Sequence, residues 1–406
     1  MTGQGVAGNL LQASAAMTFL PTSLSEVKAA SPDVALVFPA AGQTGGVERI
    51  VWDYAHHLLK GGRRVAFVGE QLAPGHDPGL QHVRVVPARG LPAAAAFRRG
   101  AAAALVDLRP GVQVSAGAEC PPGDVGLVQS VLRSWLQSAR TVPVRGREVP
   151  ARVRYLMPRH QVGLALERQY FSNTRTQVFA CTSQREVDDL QRLYGVARDR
   201  LTVVPNGFDP AVFAPRSQPD DRRASRHALS IGQDEIVLLF LANELHRKGF
   251  GPLLHAVSLA ADLRLRIDVV GKADPSSYGA TINALGLQGR VHWHGPTDDA
   301  ARFYALADVL VLPTQYEPFG LVIVEALATG LPVITTRLAG ASDAVEPGRN
   351  GLLQEDPYDA AELAGLLREA SAPGVRAEWA RRAPESVRRF RHDQVFAQLD
   401  RLLDSA

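Results

Sequence analysis

Twice along the chain, short apolar runs alternate with stretches of helical spacing, and that alternation limits the fold more than any other feature. In the first series the apolar runs fall at 34–38, 64–69, 83–87, 112–115, 178–183 and 201–209, with helical spacing at 47–60, 93–105 and 184–194. In the second they fall at 236–242, 265–270, 291–293, 309–313 and 333–335, with helices at 250–261, 278–287, 298–307 and 321–329. Three further helical stretches follow, at 357–369, 375–390 and 394–403. Strands that are apolar on both faces, each followed by a helix, build a parallel sheet with helices on either side. At 406 residues the chain exceeds one ordinary domain. The expectation is therefore α/β, with two doubly wound Rossmann-like parallel-sheet domains and an interdomain cleft. No internal sequence repeat is visible.

The alternation breaks in two places. Residues 123–175 show helical patches and loops without a convincing strand, and 214–232, rich in Pro, Asp, Arg and Ser, read as a connection. The expected division is a disordered leader over 1–30, a first domain over 31–214 with a basic insertion at about 123–175, and a linker at 215–232. A second domain spans 233–387, and a last helix in 388–406 returns to the first domain. The leader lacks a basic start, so it does not read as a signal peptide.

Composition excludes several classes. A net charge of +3 is small for this length and does not suggest a nucleic-acid binder. Two cysteines, Cys120 and Cys181, make neither a disulfide framework nor a metal spacing, which fits a reduced, cytoplasmic setting. No apolar run approaches the ~20 residues that span a bilayer.

The stretch 316–336, Y-E-P-F-G-L-V-I-V-E-A-L-A-T-G-L-P-V-I-T-T, holds two carboxylates. Glu317 lies in a Pro/Gly turn, and Glu325 lies within an apolar helix that Gly330 and Pro332 close. Glu325 shares a helix face with Leu321, Val322, Ala328 and Thr329, so it needs a partner: a salt bridge, solvent or a ligand. Strand, turn and helix N-terminus together form the place where open α/β sheets bind ligands, and the free N–H groups there suit a phosphate. Arg247 and Lys248, in H-R-K-G, follow the first strand of the second series and could neutralise a diphosphate at the same edge. As plain loop cations they would be solvated. Gly45 and Gly46 open the first helix; they fit no dinucleotide fingerprint but allow close approach of a ligand, or simply a tight turn.

E-P-F-G-L-V-I-V-E, together with P-N-G-F-D-P-A-V-F-A-P, R-K-G and G-G-V-E-R, resembles the retaining glycosyltransferases of family 4. Within that family it is most similar to bacterial lipopolysaccharide-core glucosyltransferases, through H-R-K-G and the long segment before A-C-T-S. The resemblance runs from about residue 34 to the last helix and implies the GT-B architecture. It implies that Glu317 holds donor-sugar hydroxyls and that Glu325 accepts from the nucleotide ribose. Arg247 and Lys248 would bind the diphosphate, helped by backbone N–H groups of Phe319, Gly320 and Leu321. Gly45 and Gly46 would border phosphates and acceptor, and the turn from His294 to Thr297 would flank the base. Asp124 falls where the family places a first-domain acidic or His residue near the reacting sugar; it would equally serve as N-cap of a helix beginning at Val125. Many relatives carry an Arg five residues before the Lys of K-G, where this chain has Asn243; Arg247 would supply that charge.

The activity so implied is transfer of a hexose, glucose first, from a nucleotide diphosphate sugar to a glycan or lipid-linked saccharide. UDP-glucose is the favoured donor and GDP-mannose the runner-up, and no cofactor is expected. No D-x-D motif appears, and the pairs Asp220-Asp221 and Asp298-Asp299 read as linker and helix-start charges, so no metal is expected. A nucleotide-sugar epimerase, a phosphorylase or a non-catalytic sugar-nucleotide binder are the alternatives. Between 133 and 160 stand Arg133, Arg140, Arg145, Arg147, Arg152, Arg154 and Arg159 against one acid, Glu148, interleaved with Trp135, Tyr155, Leu156 and Met157. Such a segment suits peripheral contact with an anionic membrane at its inner face, an anionic glycan, or solvent.

Overall fold

The structure, a computed structural model, describes residues 31–406 apart from 44, 139, 145, 146 and 216–218. The leader expected at 1–30 lies outside the described residues. In the first half, neighbouring strands are all parallel, in the spatial order Leu201–Val203, Val178–Cys181, Val125–Val128, Val112–Ala116, Val34–Val37, Val65–Gly69, Gln81–Arg84. The chain fills this sheet outward from Val34–Val37, then returns to its other side with Val112–Ala116. The second half repeats the manoeuvre in the order Val291–Gly295, Leu265–Val270, Ile236–Leu241, Val309–Leu312, Val333–Thr336, Gly351–Gln354, again all parallel. Each sheet thus has one switch point: between Val34–Val37 and Val112–Ala116 in the first, and between Ile236–Leu241 and Val309–Leu312 in the second. A crevice opens at such points beyond the carboxyl ends of the strands. The architecture is GT-B.

Helices cover both faces, so Val34–Val37, Ile236–Leu241 and Val309–Leu312 are apolar at every position, and the first and last of these are buried throughout. The halves are joined by two passages of chain that run side by side. The Phe208 N–H donates to the Phe390 carbonyl (2.9 Å), and the His392 N–H donates to the Phe208 carbonyl (3.0 Å). After the second passage, the helix His392–Ser405 packs Val395, Phe396, Leu399 and Leu403 into the core of the first half. Among the described residues no helix is long and apolar enough to cross a membrane.

Four local expectations change. The segment 123–175 contains a central strand, Val125–Val128, and a hairpin of Thr141–Val144 with Arg147–Pro150. Gly126 masks that strand in the sequence, yet a side chain there would collide with Phe179 and Tyr170, so close packing demands the glycine. Asp124 consequently caps no helix. The expected linker holds a helix, Pro219–Ala228, whose Arg222 and Arg226 both grip Asp308 (2.8 and 3.0 Å). The strand Gly351–Gln354 escaped notice because it is short and starts on a glycine whose Cα lies against the Val333 backbone.

The returning helix is expected to be integral to the first core. Phe396 is buried, with its ring 5.4 Å from Tyr54 and 4.9 Å from His57. Phe396→Ala should cost about 3–5 kcal/mol, read as a lowered midpoint in chemical denaturation; a shift equivalent to under about 1 kcal/mol would show that the helix merely rests on the surface.

Candidate active site

The switch point of the second sheet brings two loops together. One leaves Ile236–Leu241 and carries Arg247 and Lys248; the other leaves Val309–Leu312 and carries Glu317. They are laced by backbone and side chain. The Gln315 N–H donates to the Arg247 carbonyl (2.9 Å), Gln315 Nε2 to the His246 carbonyl (3.1 Å), and Arg247 Nη1 to the Tyr316 carbonyl (2.8 Å). Gly249 makes the first loop possible: its φ is +83° and any Cβ would strike the Pro313 carbonyl. Lys248 Nζ forms an ion pair with Glu317, and Arg247 Nη1 lies 3.8 Å from the same carboxylate oxygen. Arg247 is steadied by Glu244 through its Nε (2.8 Å). Burial, and then the adjacent Arg247 charge, push the Lys248 amine well below the ordinary lysine range.

Just beyond Glu317, Gly320 turns the chain with φ +99° into the helix Leu321–Ala328. The N–H groups of Phe319, Gly320 and Leu321 stand at this helix head, where intrahelical partners run out and the dipole is positive. The first half holds the same turn from the opposite side. Thr182 and Ser183 each donate to the Pro318 carbonyl at 3.2 Å, Arg185 Nη1 donates to the Leu338 carbonyl at 2.6 Å, and the Val131 N–H donates to the Tyr316 hydroxyl at 3.0 Å.

Glu325 is nearly buried, and both its oxygens have partners. Oε1 pairs with Arg49, and Oε2 accepts from the Tyr304 hydroxyl at 2.7 Å. Arg49 belongs to the helix Val47–Lys60 of the first half, three residues after Gly46, so Gly45 and Gly46 are brought to the cleft beside the helix Leu321–Ala328. Of the partners left open by the sequence, the salt bridge is what the structure contains. Arg49 closes the G-G-V-E-R motif, but nothing local signalled its pairing with Glu325, which spans 276 positions, or the part played by Tyr304.

His294 ends the strand Val291–Gly295 on the same edge of the sheet. Its Nε2 lies 3.4 Å from Asp268 Oδ2, with its ring against Phe303. Burial alone would raise Asp268, but the adjacent His294 and the hydrogen bond from Arg266 (2.7 Å) hold its carboxyl below the usual range. Thr297 shapes the following turn by accepting from the Asp299 N–H (3.0 Å).

Asp124 is not part of this constellation. The pairing of Val125 with Val114 and Val178 puts Asp124 at the amino edge of the first sheet, opposite the cleft. There its Oδ2 accepts the Gln113 N–H (2.8 Å), and its backbone carbonyl accepts the Gln177 N–H (2.9 Å). What the carboxyl end of Val112–Ala116 offers instead is Glu119, whose carboxyl is raised by burial and by repulsion from Glu167 and Glu48. Sequence reasoning passed over Glu119, since A-E-C has no distinguishing pattern.

The arginines of the basic segment are partly engaged by the protein itself. Arg133 donates to the Leu193 carbonyl (3.2 Å). Arg140 pairs with Asp356 (2.9 Å) and lies over the Tyr358 ring, and Arg154 lies over Trp135. The side chains of Arg145, Arg147, Glu148 and Arg152 lie outside the described residues.

Known proteins bear on this geometry. Residues 221–385 match the model of glycosyl transferases group 1, and residues 150–212 match the model of glycosyltransferase family 4. The chain is 30% identical to D-inositol 3-phosphate glycosyltransferase 1 of Catenulispora acidiphila over 366 residues, covering 82% of this chain and 84% of that protein. It is 28% identical to the lipopolysaccharide glucosyltransferase WaaG of Escherichia coli over 232 residues, covering 56% of this chain. Several matches are partial: the chain spans 62% of WaaG and 51% and 49% of two further D-inositol 3-phosphate glycosyltransferases. In three dimensions it is similar to the WaaG crystal structure (TM-score 0.78, 21% identity, 92% of this chain and 99% of that one). It is also similar to Anabaena HepE solved with UDP-glucose (TM-score 0.70, 20% identity, 92% and 99%).

Asp53, one turn after Arg49, gives the site a pH signature. Burial lifts its carboxyl to about 6, Arg49 opposes this, and Asp209 and Glu325 add to it; His392 Nε2 stands 3.7 Å away. A carboxyl raised on folding binds its proton more tightly in the native state, so it weakens stability above about pH 6 and not below about pH 4. Asp53→Asn should therefore raise the melting temperature by a few degrees at pH 7.5, with the gain fading between pH 6 and 4. An equal shift at both ends would contradict this.

Proposed function

The chain belongs to the glycosyltransferases described by the group 1 and family 4 models, and from that premise we propose that it is a retaining hexosyltransferase that uses a nucleotide diphosphate sugar. The observation that carries the proposal is the Lys248–Glu317 pair, with Arg247 beside it, at the head of the helix Leu321–Ala328. Lys248 and Glu317 face each other as an ion pair in a nearly buried gap, where Glu317 Oε2 has no hydrogen-bond partner among the described residues. A diphosphate offers Lys248 and Arg247 a more strongly charged partner, and the hydroxyls of a sugar offer Glu317 its donors. Phosphate oxygens then meet two cations and the N–H groups of Phe319, Gly320 and Leu321, which is electrostatic stabilisation aimed at the leaving group. Glu325, already fixed by Arg49 and Tyr304, accepts from the ribose, and the His294–Thr297 turn flanks the base.

In the step itself, the bond between the anomeric carbon and the diphosphate oxygen breaks as the acceptor oxygen bonds to that carbon on the same face. The acceptor proton passes to the departing phosphate. Two cations and a helix N-terminus serve the charge that a metal would serve elsewhere, so we propose metal-independent transfer. UDP-glucose is the donor we favour, with GDP-mannose second. The acceptor is a glycan or lipid-linked saccharide met at the cytoplasmic face of a membrane, a setting supported by the exposed Arg159 and Leu156 of the basic segment.

Lys248→Ala should lower kcat/KM about 100-fold or more and, by leaving the nearly buried Glu317 carboxylate without its nearest cation, should also lower the melting temperature of the free enzyme; thermal unfolding checked beside the kinetics shows that the protein assayed is folded. Near-normal turnover would overturn the assignment. The donor is identified by thermal shift: a ligand at a hundredfold excess over its Kd stabilises by about 2.7 kcal/mol, so UDP-glucose should stand above GDP-mannose. Activity should persist in EDTA, and the anomeric coupling in the proton NMR spectrum of the first product should match that of the donor.

A further inference from the structure

Behind the Glu317 turn, on the first-half side of the contact, stands a carboxyl that the donor site does not use. Glu186 occupies the third position of the helix Gln184–Tyr194, in S-Q-R-E, and Ser183 caps that helix by accepting from the Glu186 N–H (3.4 Å). An acid at that position ordinarily reaches back to a backbone N–H at the helix start, and Glu186 does so: its Oε2 accepts from the Thr182 N–H at 2.7 Å. Two features go beyond a helix cap. Glu186 is 1% exposed, and its Oε1 has no hydrogen-bond partner among the described residues. A buried carboxyl with an unmet oxygen is ill suited to carry a charge.

The Thr182 hydroxyl connects this carboxyl to the cleft. It lies 2.8 Å from Glu186 Oε2 and 3.2 Å from the Pro318 carbonyl, which belongs to the turn between Glu317 and Gly320. A hydroxyl has one hydrogen, so it donates to one of these two oxygens at a time. An ionised Glu186, nearer and charged, takes that hydrogen. A neutral Glu186 with its proton on Oε2 donates to Thr182 Oγ1 instead, which releases the Thr182 hydrogen to Pro318; a proton on Oε1 would meet nothing. Pro318 then accepts from both Thr182 and Ser183, but from Ser183 alone when Glu186 is charged. Burial pushes the carboxyl up to about 8 against the hydrogen bonds from Thr182, with Asp189 adding to the rise and Arg185 resisting it. The other titratable groups that interact with it are Cys181 of the preceding strand and Tyr316 of the turn itself. The doubly held turn is therefore the form below about pH 8, and one bond is lost as the pH rises through that value.

We propose that Glu186 is a positioning residue for the Glu317 turn: its proton decides whether the Thr182 hydroxyl holds Pro318 across the contact between the halves or turns back to the carboxyl behind it. The exchange moves one hydrogen between partners and needs no ligand. That it tunes the grip on a nucleotide sugar rests on the transferase reading above.

Amide hydrogen exchange on the full chain without ligand, corrected for the intrinsic rate at each pH, reads the turn directly. The peptide covering 316–323 should exchange about fivefold faster at about pH 9 than at about pH 7. Glu186→Gln keeps the helix cap, for which glutamine also serves, but has nothing to titrate, whereas Thr182→Val removes the hydroxyl and leaves Glu186 to titrate. Both should abolish the pH difference and Thr182→Ser should keep it, with melting curves showing that each variant is folded. Over the same range the Kd for UDP-glucose should weaken about fivefold more in the wild type than in Glu186→Gln or Thr182→Val; titration of Lys248 or of the uracil is common to all and cancels. Equal exchange at both pH values in the wild type, or a difference that persists in Glu186→Gln or in Thr182→Val, would overturn the proposal. Exchange that behaves as expected, with no nucleotide sugar bound or turned over, would leave Glu186 its role in the turn and sink the transferase reading alone.

Discussion

A nearly buried carboxylate, Glu317, neutralised by Lys248 and Arg247, is the interaction on which the rest of the structure turns. Such a group persists in a half-apolar site only when its partners are held in place, because desolvation otherwise outweighs the attraction. Holding them requires a switch point, where two strands of one sheet part and both loops end on the same edge. It also requires Gly249 to pass the Pro313 carbonyl and Gly320 to turn the chain into a helix. The first half completes the arrangement, since Thr182, Ser183, Arg185 and Val131 fix the Glu317 turn from the other wall. The Glu317 turn is therefore held jointly by both sheets.

The second carboxylate follows the same logic over a longer reach. Glu325 is supported within its own half by Tyr304 and from the first half by Arg49, and Arg49 is one turn from the elevated carboxyl of Asp53. Charges of both halves converge where the passages at Phe208 and Phe390 run together. The insertion that follows Val125–Val128 is built differently: Arg154 lies over Trp135, and Arg140 lies over Tyr358 while pairing with Asp356.

Much of this was legible from local pattern. Apolar runs and helical periods gave the parallel sheets and most of their strands, and the P-F-G turn with H-R-K-G marked the edge where charge gathers. The losses have local causes too. Val125–Val128 was hidden by Gly126, whose missing side chain is what lets Phe179 and Tyr170 close over it, and with that strand unseen nothing local opposed the role that the resemblance implied for Asp124. The linker helix Pro219–Ala228 is polar along its length and is held by Arg222 and Arg226 on Asp308, a contact outside any sequence window.

By itself the sequence determined the period of each element, the glycines that permit its turns, and the chemical types waiting at the strand ends, because these depend on residues within a turn or two of each other. Only the tertiary structure decided which of those types meet. It set Glu317 against Lys248, gave Glu325 to an arginine 276 positions away, and turned Asp124 to the far edge while leaving Glu119 at the near one. The physical reason is that strand order and register are fixed by packing over the whole sheet. A single misplaced strand therefore changes which end of its neighbour, and so which charge, reaches the cleft.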